Sequence, residues 1–154
     1  MDRAELPTLS FEQGGELSEA QVVYDRDNSL IVIALSREND YSGEFVNIGR
    51  VCIALGEKMD AVDVQVQYSP GDAKTVPGLR LPEGLAARLI FAESYLQVED
   101  VCGIEAHPEM SVMHFYFTDP KDELLHLSLA KNVVFDVTPD DRLAGIWVSG
   151  VTQR

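Results

Sequence analysis

The stretch Asn132–Gly150, NVVFDVTPDDRLAGIWVSG, contains two apolar runs, VVFDV and LAGIWV, on either side of the acidic segment TPDDR. β-Branched and aromatic residues on both sides of a short Asp- and Pro-containing segment are typical of a β-hairpin. A looser version of the same pattern occurs earlier, at Val51–Val66, VCIALGEKMDAVDVQV. The sequence therefore predicts a fold built largely from hairpins, with one design used twice.

Further segments show the same period-two alternation. QVVY and LIVIALS flank DRDNS, and SVMHFYF and LLHLSLA flank TDPKDE, so that two more hairpins are predicted. In Val62–Val66, valines alternate with Asp63 and Gln65, which is typical of an antiparallel sheet with one face in solvent.

One segment has helical periodicity instead. In PEGLAARLIFAESYLQV, which begins at Pro82, spacings of four, three and four separate Leu85, Leu89, Ala92 and Leu96. Such spacing places these side chains in one apolar stripe, and proline suits the first position of a helix. We expect one main helix over residues 82–98, after the polar loop YSPGDAKTVPG.

The two halves can be aligned by fixed offsets. Residues 25–36 lie over 119–130, and residues 51–64 lie over 135–148, without gaps within either block. We therefore expect a single domain over 1–154, with a first repeat at about 20–68, a linking loop and helix at 69–104, and a second repeat at about 111–150. The predicted fold class is α+β, mostly antiparallel β: two tandem four-stranded units related by a pseudo-twofold, with the main helix between them. Whether the repeats form one sheet or two is left open.

Short motifs in both halves resemble a known family. The motifs are Tyr24-Asp25 with DRDNSL in the first copy, and DPKDELL with FDVTPDDRLAGI in the second. Together they resemble a small bacterial domain-of-unknown-function family, number twenty-two eighty-three. Asp141 stands where that family has Gly, Trp147 where it has Glu, and Cys52 takes the place of Asp136 in the first copy. Since that family has no established activity, the resemblance implies a fold and little more.

Composition restricts the partners. The chain has 26 Asp and Glu against 12 Lys and Arg, a formal net charge of −14. This charge disfavours nucleic acid and anionic membranes. It would attract a positively charged protein, although an acidic surface more often serves only solubility. The sequence has no apolar run long enough for a signal peptide core or a membrane span, so we expect a cytoplasmic protein. Its two cysteines, Cys52 and Cys102, lack metal-ligand spacing, and we expect no cofactor.

A histidine pair is the best candidate site. If the hairpin from Ser111 to Ala130 aligns its apolar faces, His114 falls opposite His126, close enough to share a metal or a proton. Asp136 and Trp147 complete a weak candidate site, because they are positions at which the two copies differ. The alternative without a function is a pair of solvent-facing histidines. The Asp residues of TPDDR and DPKDE are better explained by turn geometry than by catalysis.

The sequence carries no motif that assigns an activity, and we carry three hypotheses. The leading one is a non-catalytic protein-interaction module that binds a basic protein. The alternatives are a metal-dependent hydrolase at the His pair, with Asp136 as a third ligand, and a small-ligand binder with a cavity between the halves beside the helix. The sequence does not decide whether the chain is an enzyme, but the absence of a catalytic motif favours a protein that is not one. The choice between monomer and homodimer is open.

Overall fold

Strands make up the regular structure of this chain. The computed structural model describes residues 6–35, 41–119 and 123–154. About 57% of these residues are in strands, and none is in a helix. The strands are β1 Leu9–Gln13, β2 Gln21–Asp25, β3 Leu30–Ala34, β4 Tyr41–Ile48, β5 Val51–Gly56, β6 Ala61–Gln67, β7 Lys74–Thr75, β8 Leu85–Phe91, β9 Tyr95–Gln97, β10 Gly103–Ala106, β11 Val112–Tyr116, β12 Leu125–Ala130, β13 Val133–Val137, β14 Leu143–Ser149 and β15 Val151–Gln153.

The strands form two mixed sheets. The larger sheet has eight strands in the order β1-β8-β12-β13-β14-β11-β10-β7, and the smaller has seven in the order β15-β2-β3-β6-β5-β4-β9. Alternate side chains of both sheets meet in one hydrophobic core. The seven-stranded sheet contributes Ile33, Ile53 and Val64 to this core, and the eight-stranded sheet contributes Phe115 and Phe135. All five side chains are fully buried. The fold is therefore all-β, two sheets packed through their apolar faces.

The predicted helix over 82–98 is wrong, and with it the α+β class. Residues 85–91 form β8, which pairs with β1 antiparallel and with β12 parallel. Ala87, Leu89 and Phe91 point into the core, whereas Leu85 and Leu96, the ends of the predicted stripe, are 48% and 73% exposed. The same segment carries a helical and a period-two pattern. The strand is favoured because it gives β1 and β12 a neighbour and satisfies their backbone groups.

Three of the predicted hairpins are confirmed. These are β2–β3, β5–β6 and β13–β14, each an antiparallel pair of consecutive strands. The hairpin predicted from Ser111 to Ala130 is wrong: β11 pairs with β10 and β14, and β12 pairs with β13 and β8. Two four-stranded units related by a pseudo-twofold are therefore also wrong. The sequence duplication itself stays a prediction.

One connection joins two distant strands of the eight-stranded sheet. β7 and β8 lie six strand spacings apart, about 29 Å at about 4.8 Å each. Ten residue steps from Thr75 to Leu85 can span at most about 35 Å, so this connection is nearly extended. At its end, Gly84 approaches Ser128 of β12, the strand with which β8 pairs.

Within residues 6–35, 41–119 and 123–154, no helix has the length and apolar character needed to cross a bilayer.

Candidate functional site

A buried carboxylate lies at the centre of the outer face of the eight-stranded sheet. Asp136 of β13 alternates with Phe135 and Val137, which enter the core, so its side chain points to the opposite face. Yet Asp136 is only 1% exposed. A buried charge is costly unless hydrogen bonds compensate it, so its partners decide what this residue can do.

Three side chains lie within hydrogen-bond distance of the Asp136 carboxyl group. His126 Nδ1 lies 2.6 Å from Oδ1, and His114 Nε2 lies 2.9 Å from Oδ2. The indole N–H of Trp147 reaches both oxygens, at 3.2 Å from Oδ1 and 2.9 Å from Oδ2. An ionised carboxylate only accepts hydrogen bonds, so both imidazoles are placed as donors toward it. The structure thus brings together all four residues that the sequence proposed as a weak site.

The strand order explains this convergence. His126 lies directly across from Asp136 on β12, while Trp147 and His114 face each other on β14 and β11. Asp136 lies opposite Gly145 of β14. A Cβ at residue 145 would lie 3.0 Å from Asp136 Oδ2 and 3.2 Å from His114 Nε2. Glycine at this position is what lets the carboxylate reach across a whole strand to His114.

The His114 ring is held by its contact with Asp136 and by stacking on Trp147. Its ring stacks on Trp147 with centroids 3.7 Å apart and an interplanar angle of 11°. Its Nδ1 is buried without a hydrogen-bond partner in the described structure, and Glu105 Oε1 of the neighbouring strand β10 is 3.8 Å away. Glu105 was not predicted from the sequence to be a site residue. Its only signal is the alternation in GIEA, which is too short to place a strand.

The predicted contact between the two histidines is wrong. β13 and β14 separate the strands of His114 and His126, and Asp136 bridges the rings. The third residue expected by the metal hypothesis, Asp136, is in place, but the ring nitrogens that face it donate hydrogen bonds to it. In the described part of the chain, no three His, Cys, Asp or Glu side chains are arranged to hold a metal ion.

The TPDDR segment serves the turn between β13 and β14. The Asp141 N–H donates to the carbonyl of Thr138, and Asp141 has a left-handed φ of 60°. Asp140 accepts a hydrogen bond from the Thr138 hydroxyl, which lowers the pKa of this exposed carboxyl, helped by the charge of Arg142. These contacts hold the turn closed, as its composition indicates. Of the other acidic turn, DPKDE, Asp122 lies outside the described residues.

The two cysteines are free and half-buried. Burial raises the pKa of Cys102 to about 12. Burial also raises the pKa of Cys52, helped by the nearby charge of Asp63. Neither thiol is therefore ionised near neutral pH, and neither is a reactive nucleophile.

A second candidate site lies at one edge of the seven-stranded sheet. We call it the β4–β9 rim, and it consists of these two strands and residue 98. Four exposed apolar side chains lie there: Tyr41 at 52%, Phe45 at 43%, Leu96 at 73% and Val98 at 84%. Two of them, Phe45 and Leu96, line a surface groove of about 400 Å³, together with Gly43, Glu44, Asn47, Ser94 and Tyr95.

Comparisons with known proteins assign no family. No protein-family model matches the chain. The search of curated proteins also finds no match. The resemblance to the domain-of-unknown-function family therefore stays a prediction.

Proposed function

We propose that this chain is a non-catalytic protein-interaction module that binds an extended, positively charged segment of another protein along the β4–β9 rim. The observation that carries the proposal is that two exposed apolar side chains, Phe45 and Leu96, line a groove at a sheet edge. Val98, the most exposed of the large apolar residues in the described structure, follows directly after β9.

The edge offers backbone groups as well as apolar contacts. β9 is the last strand of its sheet and pairs in parallel with β4. The carbonyl of Gln97 points toward β4, where it accepts the Gly49 N–H. Because successive residues of a strand point in opposite directions, the N–H and C=O of Leu96 point to the open side. An added strand could pair there while its side chains contact Leu96 and Phe45.

Charge selects the partner. Glu93 and Glu99 are exposed on either side of β9, and Glu44 lines the groove. Together with the net charge of −14, they favour a segment in which Lys or Arg alternates with apolar residues. Nucleic acid is disfavoured by the same charge.

The test is capture of partners by matched variants. The immobilised wild-type chain, Leu96→Arg and Leu85→Arg are each exposed to host lysate. Leu85 is the control because it is also exposed and apolar but lies at the far end of β8 from the rim. We expect a basic partner that binds the wild type and Leu85→Arg and binds Leu96→Arg about tenfold or more weakly.

The partner is then purified and titrated at two salt concentrations. Binding should weaken between about 50 mM and about 500 mM NaCl, because screening removes the attraction between opposite charges. Retention of the partner by Leu96→Arg, or a partner without a basic segment, contradicts the proposal. So does a wild-type dimer that Leu96→Arg converts to a monomer, since the rim would then bind a second copy of this chain.

A further inference from the structure

The three histidines of the chain have different hydrogen-bond arrangements. His126 donates from Nδ1 to Asp136, so the neutral ring carries its lone pair on Nε2. His107 has the opposite arrangement: its Nδ1 accepts the Glu109 backbone N–H at 3.2 Å, so Nε2 carries the proton. His114 donates from Nε2 and is 2% exposed. His126, with 35% of its side chain exposed, is therefore the histidine that combines a lone pair fixed on Nε2 with a partly exposed side chain.

Asp136 both orients the His126 ring and can stabilise positive charge on it. The carboxylate is buried and its distance to His126 Nδ1 is 2.6 Å, slightly shorter than the roughly 2.7–2.9 Å typical of charge-assisted N–H···O hydrogen bonds. When Nε2 attacks an electrophile, positive charge develops on the ring, and a fixed carboxylate at Nδ1 stabilises it. The same relation between carboxylate and imidazole activates bases and nucleophiles in many enzymes.

A purely structural role explains this arrangement less well. Polar residues on the outer face of a sheet are ordinarily solvated, and replacing a buried ionic network by apolar residues is often neutral or stabilising. Here Gly145 is placed in a strand interior, at a cost in β-propensity, and thereby gives Asp136 room to bridge two histidines.

We propose that His126 Nε2 is a nucleophilic and proton-accepting site for small electrophiles with an activated carbonyl carbon, and that Asp136 is its positioning residue. This site is independent of the β4–β9 rim, because it lies on the other sheet. It needs neither a metal nor a cofactor.

Diethyl pyrocarbonate is the probe. The Nε2 lone pair attacks one carbonyl carbon, an N–C bond forms, and the C–O bond to the leaving group breaks. Ethyl carbonate leaves, takes up the proton that Nδ1 gives up to solvent, and decomposes to ethanol and carbon dioxide. The product is His126 carrying an ethoxycarbonyl group on Nε2, which peptide mass spectrometry locates.

The wild type alone provides the first test. We expect His126 to be modified about five to ten times faster than His107, and His114 to be protected. Long-range ¹H–¹⁵N spectra should show Nδ1 protonated in His126 and Nε2 protonated in His107. Faster modification of His107, or the reverse assignment of the protonated nitrogens, overturns the proposal without any variant.

Two variants separate positioning from general stability. Asp136→Asn should lower the rate at His126 to that of His107 or below. Asp63→Asn removes a partly buried carboxylate from β6 of the other sheet and should leave the rate at His126 within about twofold. If folded Asp136→Asn keeps the wild-type rate, or if Asp63→Asn loses as much as Asp136→Asn, Asp136 does not position His126. Should Asp136→Asn not fold, the wild-type ranking decides.

Discussion

At the scale of single residues, Gly145 is the position on which the candidate site depends. Its missing side chain lets Asp136 on one neighbouring strand contact His114 on the other. Glycine in a strand interior is otherwise unfavourable, since it packs nothing and loses more chain entropy than other residues. The sequence contained this signal in LAGIWV, where a glycine interrupts an apolar strand.

Gly145→Ala should therefore destabilise the protein by about 1–3 kcal/mol, the usual cost of overpacking. The added Cβ would lie 2.9 Å from the carbonyl oxygen of Phe115 as well as 3.0 Å from Asp136 Oδ2. Gly78→Ala is the control, because a Cβ there meets nothing within 4 Å. Denaturant unfolding measures both. Equal stabilities of the two variants would mean that the strands around Gly145 have spare room.

At the scale of strands, sequence patterns predicted the hairpins correctly, because a hairpin depends on contacts between residues that are close in the sequence. The hairpins β2–β3, β5–β6 and β13–β14 follow from alternation and turn residues a few positions apart. The pairing of β11 with β14, or of β12 with β8, joins strands that are distant in sequence, and no short pattern specifies it. The sequence therefore predicted most strands correctly but not the strand order.

The four residues of the candidate site were predicted from the sequence, but the hairpin expected to bring the two histidines together was wrong. His114, His126, Asp136 and Trp147 were selected as a pair of facing histidines together with positions at which two proposed repeats differ. They do lie together, but through contacts across four strands, β12-β13-β14-β11, and not through a hairpin. The residues could be proposed from the sequence, whereas the geometry required the strand order.

Strand β8 gives a test of the corrected element. Leu89 is 1% exposed, whereas Leu85 and Leu96 are 48% and 73% exposed. Leu89→Ala should cost about 2–5 kcal/mol, the range for buried leucines, and Leu85→Ala and Leu96→Ala should each cost less than about 1 kcal/mol. A helix with the predicted stripe would require similar losses at all three positions. Thermal and denaturant unfolding distinguish the two patterns.

At the scale of the whole molecule, an acidic chain depends on its few cations to join segments. Arg50 precedes β5 and binds Asp72, after β6, at 3.0 Å and Asp100, before β10, at 2.8 Å. Hydrogen bonding to Asp100 raises the pKa of Arg50. Partial burial acts to raise the pKa of Asp100, but hydrogen bonds from Arg50 and the Cys102 N–H, with the arginine charge, hold it below its usual value.

The lowered pKa fixes the sign of a pH effect. Because folded Asp100 binds its proton less readily than unfolded Asp100, the pair stabilises the fold above the usual carboxyl pKa of about 3.9 and loses this effect as the pH falls below it. Asp100→Asn should therefore cost about 0.5–1 kcal/mol at pH 7, a small value because both side chains are partly exposed. Asp27→Asn, at an exposed turn position, is the control because it changes the net charge equally. Urea unfolding of both variants between pH 7 and pH 3 measures their free energies of unfolding, and the difference between them should shrink at the acid end. A difference that stays constant would mean that the Arg50–Asp100 charge pair does not contribute to stability.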